Sequence, residues 1–415
     1  MRVSHYVSVS VLVFFSFSLE SAFASESALS ILPTETTVRK VFEGIPALRI
    51  STLGIDLASS SKQRLDAGHY EWTLRTGLNR RTDQLGEQFQ EQELLIERPV
   101  RWFGKAEKDR AIGEKGIDVA KASYADAWHE TSRVLMKDWF DSIRETVSVK
   151  RLQEQLEVTA TIRAVAEKRI KAGDAAKIEL LLADTEYQRV LAMLQQAQQR
   201  EEFALQALRT NYPGLPMPAH SDLPLPQMLT ESVDIWMSKI MDDNHEIELA
   251  QAEADYIGLQ AERIVRDRIP DPTVGFRVSR ERNGQEKIFG ISISIPLPGE
   301  ARNLESASAF LRARVAAEKI KQTQIKVSLA AQKAITDSNR SYVSWKTFDS
   351  VRQQSQQQAS LMLTAYKQGE ANLSDVLSTR RTALDAVQMA EFAQIDALMA
   401  FARLHLDAHL IWAFD

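Results

Sequence analysis

The chain repeats itself. Gly173 opens the run Gly-Asp-Ala-Ala-Lys-Ile-Glu179-Leu-Leu, and Gly369, about 196 residues on, opens Gly-Glu-Ala-Asn-Leu-Ser-Asp375-Val-Leu. Each glycine is followed by an acid, then an alanine, with a second acid six residues from the glycine and two apolar residues behind it. Pro99-Val-Arg-Trp-Phe-Gly104 falls on Pro296-Leu-Pro-Gly299 at nearly the same offset, and Lys62-Gln-Arg-Leu65 lies more loosely over Ala261-Glu-Arg-Ile264. A tandem duplication of about 200 residues is a strong constraint: what one half builds, the other builds again.

The expected layout is a first repeat over 25–211, a proline-rich connector over 212–229 and a second repeat over 230–415. Each repeat reads as a helix (about 37–66, then 230–268), two short extended segments (about 69–81 and 91–103, then 272–282 and 286–297), a long helix (about 105–171, then 300–367) and a return helix (about 174–211, then 371–412). Only 16 glycines and 12 prolines occur in 415 residues, which leaves room for long uninterrupted helices. In the second long helix Ile320, Ile325, Leu329, Ile335, Tyr342, Trp345 and Phe348 recur at helical spacing, the stripe of laterally packed helices. Gly173 and Gly369 each end a long helix in the left-handed turn that glycine favours, and Asp174 and Glu370 then complement the positive start of the next helix. The fold class is mostly α with a small β part, made of long helical hairpins in tandem.

Residues 1–24 carry Arg2, an apolar run from Val7 to Leu19 and the small-x-small triplet Ala22-Phe23-Ala24, the layout of a secretory signal peptide cleaved after Ala24. No other stretch approaches 18 apolar residues. Absence of cysteine removes disulfides, thiolate metal sites and cysteine-linked lipid anchors. A formal charge of −5 without a basic stripe gives no reason to expect nucleic acid as a partner.

The extended segments alternate. Val274, Phe276 and Val278 are separated by Gly, Arg and Ser, and Phe289, Ile291, Ile293 and Ile295 by Gly and Ser. Asn283-Gly284 between them is a strong hairpin signal. Tyr70, Trp72, Leu74 and Leu78 repeat the pattern in the first half, and the segment around Leu94–Pro99 repeats it least well. Two arrangements fit: hairpins lying apolar side down on a soluble core, or strands of a barrel wall with apolar residues in lipid. Four strands cannot close a barrel with a polar lumen, and lipid does not tolerate open edges, so a membrane role requires several chains to pool their strands.

These residues resemble the TolC family of outer-membrane efflux channels over nearly the whole mature chain. Ile269-Pro-Asp-Pro-Thr-Val-Gly-Phe276 enters a strand, Ile295-Pro-Leu-Pro-Gly-Glu-Ala-Arg302 leaves the next, and Tyr366-Lys-Gln-Gly369 leads to Asp375-Val-Leu377. The Pro-Asp-Pro entry and Pro-x-Pro-Gly exit look most like the CzcC-type heavy-metal branch. The resemblance implies a homotrimer, with four strands per chain in a twelve-stranded barrel in the outer membrane of a Gram-negative bacterium. It also implies a helical tunnel (α-barrel) in the periplasm, whose tips meet a periplasmic adaptor and, through it, an inner-membrane pump. Family acids behind the second tip glycine form a cation-binding ring; Asp375 matches the first such position, whereas the second is Ser378 here.

At the tips, Asp375, Glu370, Asp174 and Glu179 are candidates for a cation-selective constriction, although helix N-terminal acids would look the same in sequence. Arg169, Lys171, Gly173, Tyr366, Lys367 and Gly369 are candidates for tip geometry and adaptor contact. His405 and His409, four apart on the expected last helix, are a weak metal candidate, with packing as the alternative. No local motif of nucleophile, base or phosphate loop points to an enzyme, and no cofactor is expected. A periplasmic coiled-coil adaptor with soluble hairpins is the competing reading.

Overall fold

A computed structural model describes residues 28–68, 70–82, 84–218 and 223–414; the expected signal peptide and its cleavage site lie outside them. The elements are α1 (Glu35–Phe42), α2 (Pro46–Ala67), β1 (Thr73–Thr82), β2 (Gln88–Pro99), α3 (Lys105–Lys171), α4 (Lys177–Asn211), α5 (Val233–Asp242), α6 (His245–Arg266), β3 (Thr273–Glu281), β4 (Glu286–Ser294), α7 (Glu300–Gln368) and α8 (Leu373–Asp407). The order helix, helix, strand, strand, long helix, return helix thus occurs twice. At 1.5 Å per residue, α3 with 67 residues and α7 with 69 each measure about 100 Å.

The first two strands are offset by about four residues from expectation, and three larger differences lie in the helices. The leading helix of each half is broken in two, by Glu43-Gly-Ile ahead of Pro46 and by Asp243-Asn244, where the Asn244 side chain accepts from Ile247 N at 3.2 Å and starts a fresh helix. The last helix stops at Asp407 rather than near 412. His409 there adopts φ 57°, and Leu410 N donates to His405 O at 2.9 Å while His409 N donates to Leu406 O at 3.0 Å. That is the Schellman pair of bonds with histidine where glycine is usual.

The chain forms two compact units, each drawing on both halves. The first contains 28–49, 128–243 and 328–414. Its core comes in successive clusters: Trp236, Ile240, Ala331, Ile335 and Leu404 in one, Val149, Leu152, Leu194 and Ala197 in another, and Ile162, Ala166, Ala183, Tyr366, Leu373, Val376 and Leu377 at the hairpin tips. Alanines recur along the buried face of α8 (Ala383, Ala386, Ala390, Ala393, Ala397), so neighbouring helices can approach closely. Residues 33 and 39 are clasped to residues 412 and 413 within this unit. Trp412 Nε1 donates to Pro33 O at 3.0 Å, Trp128 Nε1 to Trp412 O at 2.9 Å, and Arg39 Nη2 to Ala413 O at 3.0 Å.

The second unit contains 50–127 and 244–327. Its four strands form one antiparallel sheet in the order β1-β2-β3-β4, leaving β1 and β4 as edges. Arg282, Asn283 and Gly284 all take positive φ in the β3–β4 turn, and Asn283 Oδ1 accepts from Gln90 N at 2.7 Å, tying that turn to β2. The apolar stripe expected on α7 is only partly covered: Ile335 is buried, whereas Ile325 and Leu329 are exposed.

Candidate functional site: hairpin tips and an apolar strand face

Both tips are built alike. Asp174 N donates to Arg169 O and Gly173 N to Ile170 O; at the second tip Glu370 N donates to Ala365 O and Gly369 N to Tyr366 O, all within 2.9–3.1 Å. Both glycines stand at φ 83°, a conformation that a side chain would strain, with nothing near the missing Cβ. The backbone, not packing, asks for glycine here.

The structure brings together residues that sequence reasoning held apart. Arg169 stacks 4.9 Å from the centre of the Tyr366 ring, and its Nη1 donates to the Tyr366 hydroxyl at 2.6 Å. That hydroxyl donates to Glu179 Oε2 at 3.3 Å, and the same carboxylate pairs with Arg169 at 3.4 Å. Arg169 also donates to Asp174 O, while Lys171 pairs along its own helix with Glu167 at 2.8 Å. So Arg169, Glu179 and the buried Tyr366 form one tie between the first and second hairpins. Asp174, Glu370 and Lys367 are exposed. Asp174 and Glu370 precede the first turns of α4 and α8, which instead hold Glu179 and Asp375. Asp375 is exposed, with its backbone N–H capped by Asn372 Oδ1 at 2.9 Å, and Ser378 is exposed one turn on.

His405 and His409 do not share a helical face, because the helix ends between them. His405 is buried, its Nδ1 is 2.8 Å from Phe401 O and its ring lies against Trp236; burial lowers its pKa below the usual histidine value. His409 packs its ring edge-on to His129. Asp407 accepts from Arg133 Nε at 2.9 Å and Arg403 Nε at 3.0 Å, and buried His129, pushed down to about 3 by burial and by Arg133, stays neutral beside them.

The sheet segregates by chemistry. Residues paired across strands share a face, so Leu74–Ile96–Phe276–Ile291 and Leu94–Val278–Phe289 form apolar rows, extended by Val274–Ile293. Val274, Phe276, Phe289, Ile291, Ile293 and Ile295 are exposed, Ile291 at 78% and Ile293 at 66%, while Val278 is half-buried. The opposite face carries Arg75–Glu97 at 3.1 Å, Arg81–Glu91 at 2.9 Å and Arg277–Glu93 at 3.0 Å, together with Gly77, Gly275, Gly290 and Ser292. Phe89, Leu95 and Ile288 are the apolar exceptions on it. Sequence reasoning missed this ladder; the Glu91, Glu93, Glu97 spacing was its signal.

At the root of the sheet, Lys105 is 1% exposed. Its ammonium meets Asp271 at 2.8 Å and Asp267 at 2.9 Å; Asp271 also accepts from Trp102 N at 2.8 Å and from the Tyr70 hydroxyl. Arg263 joins Asp267 at 2.5 Å to Asp109 at 2.6 Å, and Arg101 pairs with Asp109 at 3.1 Å. This node holds the start of α3, the end of α6 and the entry to β3. The Asp of the Pro-Asp271-Pro segment therefore has a physical task.

No protein-family model matches the chain, and no curated protein matches it. Solved structures do. The Campylobacter jejuni CmeC outer membrane channel is 15% identical, with 91% of this chain and 85% of that one covered at a TM-score of 0.72. The outer membrane protein VceC from Vibrio cholerae is 16% identical over 95% and 96% at 0.70. The Neisseria gonorrhoeae MtrE outer membrane channel is 15% identical over 90% and 88% at 0.62. Long helical hairpins joined to a four-stranded antiparallel sheet are thus the fold of outer-membrane channel proteins.

Proposed function

We propose that the chain is the outer-membrane component of a tripartite efflux system, a passive duct whose transport is driven by a pump reached through a periplasmic adaptor. Three copies pool their four strands into a twelve-stranded barrel in the outer membrane, and their helices line a periplasmic tunnel. The observation that carries this reading is the sheet itself: an exposed apolar face, a polar face with charge pairs, and two unpaired edges. In water such a sheet presents apolar surface and open edges that natural proteins avoid. In lipid, with edges paired between chains, the same face is satisfied. A soluble adaptor would bury the Phe289–Ile295 face against its own core, and that face is exposed here.

The division into repeats 25–211 and 230–415 about the 212–229 connector belongs to this reading, supported by the matching element order. So do export by a signal peptide cleaved after Ala24 and a tip ring that includes Asp375, Glu370, Asp174 and Glu179. Three copies of an acid about one axis concentrate cations and repel anions. The Pro-Asp-Pro and Pro-x-Pro-Gly segments support heavy-metal cations as cargo. Arg169, Lys171, Gly173, Tyr366, Lys367 and Gly369 shape the surface offered to the adaptor. The deciding measurement is the molar mass of the mature protein in detergent, by light scattering with detergent subtracted. Three chains per particle are expected; a monodisperse monomer, soluble without detergent, would overturn the duct in favour of the adaptor.

A further inference from the structure

Charge is distributed unequally between the two faces of the sheet. On the polar face both signs occur: Arg75, Arg81 and Arg277 alternate with Glu91, Glu93, Glu97, Glu281 and Glu286. The apolar face carries no carboxylate on any strand. Its charged residues are Arg98 at the root, which lies over the Trp72 ring at 5.5 Å, and Arg80, Arg280 and Lys287 at the turn end. In the register Leu78, Gln92, Arg280 and Lys287 form one row, directly beyond the apolar Leu94–Val278–Phe289 row, and Arg80–Gln90 forms the next. Arg80, Arg280 and Lys287 are all exposed, and none forms an ion pair among the described residues. Every arginine named on the opposite face has a glutamate.

Strand ends that needed only solubility would take either sign, as the opposite face does at the same end of the sheet with Arg81, Glu91, Glu281 and Glu286. A cationic, acid-free rim bordering an apolar band instead matches a surface where hydrocarbon gives way to anionic headgroups. There the long stems of Arg and Lys lie on the apolar side and their charged ends reach outward. Glutamines between them add neutral donors for phosphate oxygens. Resting on the barrel reading above, we propose that Arg80, Arg280 and Lys287 form a binding rim for phosphate-bearing lipid headgroups in the leaflet reached by the hairpin turns. Three chains would present nine such cations around the barrel.

The test uses the purified full-length protein in detergent, titrated with diphosphorylated lipid A and with the same lipid after removal of its phosphates, and read by native mass spectrometry. The parent is expected to prefer the phosphorylated lipid. The triple variant Arg80→Gln/Arg280→Gln/Lys287→Gln should bind it about tenfold or more weakly, since each cation near an anionic surface adds attraction, while keeping the parent's mass. A charge-matched control, Arg75→Gln/Arg81→Gln/Arg277→Gln on the other face, should keep the preference. Equal binding by parent and rim variant, or equal loss in the control, would overturn the rim. A parent that assembles as a trimer and inserts into phosphatidylcholine vesicles yet ignores the phosphates would overturn the rim and leave the barrel standing. A parent that neither assembles nor inserts would overturn the barrel first, and the rim with it.

Discussion

The ammonium of Lys105 lies 2.8 Å from Asp271 and 2.9 Å from Asp267, in a position where the lysine side chain has almost no contact with solvent. A buried cation between two carboxylates is stable only while all three are present. Lys105→Met leaves two acids facing each other, and truncating one partner of a buried pair costs about 3 kcal/mol or more. The variant is expected to unfold at lower denaturant, and adding Asp271→Asn should recover part of the loss. Chemical denaturation in detergent measures both; an unchanged midpoint for the single variant would remove the node from the account of stability.

The same node sets an acid limit. Burial pushes the carboxyls of Asp267 and Asp271 up, but hydrogen bonds from Arg263 and Lys105 to the first, and from Lys105, Tyr70 and the Trp102 amide to the second, outweigh it and hold both below the ordinary value of 3.8. A depressed folded-state pKa contributes stability that is present above the unfolded value and lost as pH falls through the folded one. Stability of the strand-bearing unit should therefore be level above about pH 4 and decline below it. Asp271→Asn should flatten that decline, as followed by circular dichroism across an acid titration.

At the tips, Tyr366→Phe deletes the hydroxyl that receives Arg169 and reaches Glu179. A net loss of about 1 kcal/mol for such a bond loosens the tie between hairpins with little harm to the fold. Single-channel conductance in planar bilayers is expected to rise relative to the parent. Identical conductance would mean that the tie holds the hairpins without narrowing the path.

Asp375→Asn keeps the shape of the first turn of α8 and removes its exposed charge. Cation preference, read from the reversal potential in a salt gradient, should fall. Unaltered selectivity would take Asp375 out of the ring and leave Glu370, Asp174 and Glu179 to be examined in turn.

Ile293→Arg places a guanidinium in the apolar band beside Val274. At mid-bilayer a lipid-facing arginine costs roughly 2–4 kcal/mol per chain. Recovery of the protein from outer membranes should drop, whereas Ser292→Arg, on the opposite face, should insert. Equal recovery for both would count against the lipid-facing assignment.

Much of the fold was legible in the chain because its signals are local. Alternation from Phe289 to Ile295 specifies a strand with two unlike faces, and Gly173 and Gly369 specify where a helix must reverse. The broken leading helices were not legible, since Gly44 and Asn244 are ordinary residues until their caps are seen. His409 was misplaced for a related reason: four-residue spacing implies one helical face only if the helix continues, and a left-handed histidine ends it. The Arg169–Tyr366–Glu179 tie and the Lys105 node join residues about 150 to 200 positions apart, a relation that only the folded chain reveals.

The clasp between Trp412, Pro33 and Arg39 also bears on timing. Its partners are separated by up to 379 positions, so a ribosome must release all of the intervening chain before those bonds can form. Closing so long a loop carries the largest entropic cost in the molecule, and the first unit remains unlatched throughout translation. A nascent chain of this design can latch its first unit only after residues 412–414 have emerged, whatever its helices have formed by then.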